Sequence, residues 1–171
     1  MMHGEEQGIT RRAWLEAMAA LGAFGSVTAV LSAEPRQARA QGNLANLGPE
    51  ENVDATLKRL FAGRPIKDGA AQMKLELPLI AENGAVVPVA LEMSAPQTAE
   101  SYVKTIYIIS DRNRRPLNAK FSLTPAVGQA YVATNLRLGD STDVRAVAEM
   151  SDGTLLQVKR EVKVTVGGCG G

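Results

Sequence analysis

"LLQVKREVKVTV", Leu155 to Val166, alternates apolar and polar residues almost without a break. Leu156, Val158, Val162, Val164 and Val166 fall on one face, interrupted by Arg160. Gln157, Lys159, Glu161, Lys163 and Thr165 fall on the other. A period of two with one apolar face is the pattern of a half-buried strand. Six shorter runs upstream carry the same signal. "MKLELPLI" sets Met73, Leu75 and Leu77 against Lys74 and Glu76, and after the turn "ENGA" comes "VVPVALEMS". "YVKTIYIIS" is apolar on both faces in its second half, which predicts a central strand or a face covered by another subunit. After the turn "DRNRRP", "LNAKFSLTP" puts Leu117, Ala119, Phe121 and Leu123 on one face. "AYVATNLRLG" follows. "DVRAVAEMS" sets Val144, Ala146, Ala148 and Met150 against Arg145 and Glu149, and Asp152-Gly153 is a strong hairpin signal before the last run. Seven short strands with regular turns predict a mainly β chain: an immunoglobulin-like antiparallel β-sandwich, with a small antiparallel barrel as the alternative.

One segment breaks the pattern. "PEENVDATLKRLFAG" predicts a short helix near residues 50–62. Pro49 suits the first helical position, and Glu50, Glu51 and Asp54 complement the positive end of the helix dipole. Val53, Leu57, Leu60 and Phe61 form one stripe, and Gly63 supplies the stop. The stripe packs on the body of the fold or receives a partner.

The N-terminus reads as an export signal rather than as part of the fold. Arg11-Arg12 precede an uncharged apolar stretch from Ala17 to Leu31, and Ala38-Arg39-Ala40 has the form of a cleavage site. Fifteen residues fall short of the roughly 20 that span a bilayer, so the mature form is expected without a membrane anchor. "TRRAWL" resembles the twin-arginine (Tat) motif, with Trp14 and Glu16 departing from its usual residues. The expected organisation is a Tat-type signal over 1–40, a β-sandwich with its N-terminal helix over 41–166, and a glycine-rich arm over 167–171. The expected location is the periplasm.

Composition narrows the chemistry. The chain has 171 residues, and its 19 Lys+Arg against 18 Asp+Glu leave a net charge of +1. That balance argues against nucleic-acid binding. Residues 1–40 remove four charges of each sign and also His3, the only histidine. The mature chain therefore has no imidazole for Ser-His-Asp or Cys-His catalysis, and no His/Cys cluster for zinc, haem or copper. No metal site and no cofactor are expected. With one cysteine, any disulfide must be intermolecular.

That cysteine sits in the last five residues, Gly167-Gly168-Cys169-Gly170-Gly171. Glycine brings no side chain and adopts a wide range of φ, so Gly167, Gly168, Gly170 and Gly171 read as a flexible arm. Three extended residues beyond Val166 carry the thiol about 10 Å from the sheet. No Lys, Arg or His lies within five residues of Cys169, so nothing nearby activates the thiol. An unactivated nucleophile without a base makes a poor enzyme and a reasonable attachment point. Two other readings stand beside this one: an unstructured tail with an incidental thiol, and a regulatory dimer through a Cys169 disulfide. In "DRNRRP", Arg112, Arg114 and Arg115 are either a solvated loop tip or a surface that docks a partner or steers an anion.

The Tat-like leader, "KLELPLIAENGAVVPV", "NRRPLNAKFSLTPAVGQA", "VRAVAEMSDG" and "VKVTVGGCGG" together resemble the SoxY family, the sulfur-carrier subunits of the periplasmic thiosulfate-oxidising Sox system. The resemblance implies that Cys169 holds sulfur substrate covalently while partner enzymes act on it. It implies a tight complex with SoxZ. It further implies a c-type cytochrome, SoxAX, that joins thiosulfate to the thiol as an S-thiosulfonate, and a manganese hydrolase, SoxB, that releases sulfate. In systems that have it, the sulfane dehydrogenase SoxCD then oxidises the sulfur left behind. The family fold is immunoglobulin-like, and the family member itself is not an enzyme.

Overall fold

A computed structural model describes residues 48–168. The leader with Arg11 and Arg12, and Cys169, Gly170 and Gly171 at the end of the arm, lie outside the described residues. Among the described residues, one α-helix, α1 (Val53–Phe61), precedes nine strands. These are β1 (Ile66–Asp68), β2 (Met73–Glu76), β3 (Ile80–Asn83), β4 (Val87–Met93), β5 (Val103–Ser110), β6 (Leu117–Ser122), β7 (Ala130–Leu136), β8 (Thr142–Met150) and β9 (Leu155–Val166).

The strands form two sheets. One runs β1-β9-β8-β5-β6, with β3 also paired to β9, and the other runs β2-β4-β7. The long ladders are antiparallel, as the alternating runs predict: β8 on β9, β5 on β8, β5 on β6 and β4 on β7. The sheets bury a common core. Met73, Leu75, Val89 and Leu91 come from the small sheet, and Ile106, Ile108, Ala146 and Val162 from the large one. This is the expected β-sandwich.

Two short strands depart from the antiparallel expectation. β1 and β3 both pair parallel to β9, β1 at its start (Ile66↔Leu155) and β3 at its end (Ile80↔Lys163, Asn83↔Val166). "MKLELPLI" is therefore two elements. β2 stops at Glu76 and β3 starts at Ile80, with Pro78 between them. Proline has no N–H to give a ladder, and it holds the preceding residue extended, so it ends β2 and lets the chain cross to the other sheet.

The two apolar faces of "TIYIIS" have separate partners within the chain. Ile106 and Ile108 face the sandwich core, while Tyr107 and Ile109 join Leu117, Val147, Leu155 and Phe61 in a second cluster. Val53, Leu57 and Leu60 of α1 pack against this cluster. The helix stripe thus covers the outer face of the large sheet, and no second subunit is needed there. Phe61 is 1% exposed and meets the Tyr107 ring edge to face, with centroids 5.1 Å apart. Burying such a side chain stabilises by about 2–3 kcal/mol.

The helix begins later than its sequence predicts. Its N-cap is Asn52, whose side chain accepts a hydrogen bond from Ala55 N at 2.8 Å, and Pro49 precedes it. Asparagine is among the strongest N-caps, and this overrides the proline signal. Glu51 then lies ahead of the helix. Its Oε1 accepts from Thr56 Oγ1 at 2.7 Å and from Arg59 Nη2 at 2.6 Å. At the other end Ala62 is left-handed with φ 52°, its N–H on Lys58 O, and Gly63 follows. This is the helix end that a glycine-rich stop predicts.

Candidate functional site

The candidate site is the end of β9, which leads into the cysteine arm. β9 outruns β8, whose ladder reaches only Thr142↔Val162. Beyond that point β9 pairs with β3 on one edge. On the other, Ser141 Oγ accepts from Val164 N at 2.9 Å. The strand then meets two turns. Gly84 N donates to Val166 O at 2.8 Å, Leu138 N donates to Gly84 O at 2.7 Å, and Gly168 N donates to Leu138 O at 2.9 Å. These bonds close a circuit through the β3–β4 turn, the β7–β8 loop and the last described residue. Gly168 is buried, and the Leu138 side chain is fully buried in the core.

The circuit leaves no room for side chains. A Cβ on Gly168 would stand 2.7 Å from the backbone of Gly84 and Ala85. One on Gly167 would press on Gly139 O, and one on Gly84 would press on Leu138 O. Gly168 is therefore packed against the body, and Gly167, exposed on its other side, lies against Gly139 O. Their absence of side chains serves close approach of backbone to backbone.

The β7–β8 loop is in turn held by the turn that sequence reading marked for its arginines. Asn113, 6% exposed, donates from Nδ2 to Arg137 O at 2.7 Å and accepts from Gly139 N at 3.2 Å. It thus brackets Leu138. Asn118 supports it from β6, accepting from Asn113 Nδ2 at 3.1 Å and donating to Ser110 Oγ at 2.7 Å. Sequence reading missed Asn113. The available signal was an amide set among charges in a turn, a residue type that bonds to nearby backbone.

The arginines of that turn sit outside, each near a carboxylate. Arg112 lies 3.7 Å from Asp140, and Arg114 and Arg115 lie 2.8 and 3.8 Å from Glu50. Glu51 N also donates to Arg114 O at 3.1 Å, so the turn ties down the segment ahead of α1. These carboxylates take up part of the charge that the turn offers to an incoming anion. Deeper in, Asp111 and Arg145 make a bidentate pair of 2.8 and 2.5 Å. The Arg145 guanidinium is pushed above its ordinary value, chiefly by that hydrogen bond.

Among the described residues, no group of three or more His, Cys, Asp or Glu gathers to hold a metal ion. An open depression of about 630 Å³ on the small sheet, beside Pro88, Ala133 and Asn135, has Glu76 as its titratable side chain, paired with Lys74 at 2.6 Å. No helix among the described residues is long and apolar enough to cross a membrane.

Comparison with known proteins reaches the same end of the molecule. The family model described as sulfur oxidation protein SoxY matches residues 57–169, from mid-helix to the cysteine. The structure of the sulfur carrier protein SoxY from Chlorobium limicola f thiosulfatophilum is 30% identical, with a TM-score of 0.56. That match covers 67% of this chain and 97% of the other. A superoxide reductase (neelaredoxin) from Ignicoccus hospitalis aligns at 19% identity and a TM-score of 0.50, over 54% of this chain and 80% of that one. At that identity the likeness is one of fold alone. No curated protein sequence matches the chain.

Proposed function

The chain belongs to the family of sulfur oxidation protein SoxY, and on that premise we propose that it is a covalent carrier of sulfur intermediates, with Cys169 as the attachment point. The observation that carries this reading is the Gly-Gly-Cys-Gly-Gly arm that follows β9, whose first two glycines lie against the body. A single cysteine without a neighbouring Lys, Arg or His in sequence suits an attachment point on which partner enzymes act.

The cysteine thiolate and the outer sulfur of thiosulfate form an S–S bond. Two electrons leave to a c-type cytochrome partner of the SoxAX kind, giving Cys–S–S–SO3⁻. Water then cleaves the bond to the sulfonate sulfur in a hydrolase of the SoxB kind. Sulfate departs with two protons, and a persulfide stays on the cysteine. A sulfane dehydrogenase of the SoxCD kind, where present, takes six electrons from that outer sulfur to its haem while three waters supply oxygen and lose six protons, giving Cys–S–SO3⁻, and a second hydrolysis releases sulfate and restores the thiolate. A second β-sandwich subunit, SoxZ, is the proposed permanent partner. Export by the Tat route to the periplasm is proposed from Arg11-Arg12 and the Ala38-Arg39-Ala40 site.

The test is reconstitution with the partner enzymes. Cys169→Ser abolishes thiosulfate-dependent electron transfer while melting and SoxZ binding stay as in the wild type. Retained turnover in that variant would remove Cys169 from the cycle. A protein found only as a disulfide dimer, with no sulfur adduct, would favour a regulatory disulfide instead.

A further inference from the structure

We propose that Gly84, Leu138 and Gly168 form a socket that fixes where the carrier arm leaves the body, with Asn113 as its positioning residue. The inference rests on the carrier reading of Cys169. It starts from the closed circuit Gly84 N to Val166 O, Leu138 N to Gly84 O and Gly168 N to Leu138 O. Neither Gly167 nor Gly168 has a left-handed φ, so backbone conformation does not demand glycine at either place. Space does, because a Cβ at each would strike the backbone of the facing turn. Glycine here lets three backbones close on one another, which is the opposite of loosening the chain.

The consequence concerns reach. If the joint began after Val166, three residues would carry the thiol about 10 Å out. With Gly168 held, a single peptide unit of about 3.8 Å separates its Cα from that of Cys169. While the socket is closed, the thiol is therefore offered to an enzyme close to the end of the sandwich. Correct presentation then depends on residues far away in sequence. Asn113 holds both peptide groups that flank Leu138, through Arg137 O and Gly139 N, and so aims the Leu138 carbonyl at Gly168.

The test uses the full chain in its complex, with Gly168→Ala, Gly84→Ala and Asn113→Ala. Gly128→Ala is the control for simple destabilisation, since Gly128 has φ +70° and nothing within 4 Å of its Cβ position. Two readouts are taken. In the wild type the Gly168 amide should exchange with solvent at least about tenfold more slowly than in an unstructured peptide, and Gly84→Ala and Asn113→Ala should remove that protection. The KM of the thiosulfate-conjugating enzyme for the carrier should rise between about tenfold and a hundredfold in all three socket variants. Alkylation of Cys169 by iodoacetamide should keep its wild-type rate, and Gly128→Ala should keep the wild-type KM. A Gly168 amide that exchanges at the free-chain rate in the wild type overturns the socket. Wild-type KM in Gly84→Ala and Asn113→Ala overturns it too. If instead Cys169→Ser remains active, the carrier reading fails, and the exchange measurement still decides whether the socket exists.

Discussion

At its start β9 is held by side chains: Leu155 enters the cluster beneath α1 and Leu156 the sandwich core, with β8 on one edge and β1 on the other. At its end it is held by backbone. Val166 is 62% exposed, and the strand is kept in place by β3, Ser141, and the circuit through Gly84, Leu138 and Gly168. Side-chain packing has a large effect on stability and tolerates small displacements. A hydrogen-bonded backbone circuit buries little apolar surface and contributes little stability, but it sets a position closely. The contrast separates two tasks along one strand: Leu155 to Val164 secure the fold with buried side chains, and the end from Val166 onward presents the cysteine.

The sharpest way to break this division is Cys169→Ser. Turnover with the partner enzymes should vanish with no change in melting, because the residue belongs to presentation alone. Phe61→Ala should do the reverse. Losing a fully buried ring and its contact with Tyr107 should destabilise by about 3–5 kcal/mol, read by denaturant unfolding. The thiol of the molecules that stay folded should react as before. Gly168→Ala sharpens the contrast, since it should cost roughly 1 kcal/mol or less while impairing turnover. If it unfolds the chain as severely as Phe61→Ala does, the two parts are not functionally distinct.

A smaller effect belongs to pH. The carboxyl of Glu51 is held below its ordinary value of 4.5, first by hydrogen bonds from Arg59 and then by Thr56. A carboxyl lowered on folding stabilises above its ordinary value, and that contribution disappears as pH falls through the lowered one. The melting-temperature gap between wild type and Glu51→Gln should therefore be present near neutrality and close as pH drops below 4.5. A gap that persists in acid would show that the side chain acts through packing and not charge. The smallest effect is expected from Arg114→Glu with Arg115→Glu. Both arginines already face Glu50, so the salt dependence of turnover should change little. A marked flattening would instead establish the turn as a steering surface.

Most of the fold was legible because burial in a two-layer sandwich imposes a period of two, and the long runs keep it. Pro78 and the short β1 and β3 were harder to place. Three or four residues carry too little periodicity, and parallel pairing at a strand edge leaves no local mark. The covering of Tyr107 and Ile109 was half legible. The helix stripe and the two-faced strand were both visible, but nothing local joins residues so far apart in sequence. In the site, Cys169 and its glycines stood out at once, and the job of the first two glycines did not. Glycine for flexibility and glycine for close approach look the same in sequence, and only the Gly84 and Leu138 backbones tell them apart. Asn113 stayed hidden among arginines because its partners, the peptide groups on either side of Leu138, are distant in the chain.

Covalent sulfur at Cys169 is tested most directly by mass spectrometry of the C-terminal peptide, in protein from cells oxidising thiosulfate. The prediction is a Cys169 carrying added sulfur, with a sulfonate-bearing form among the adducts. A peptide found only as free thiol and disulfide-linked homodimer would contradict it.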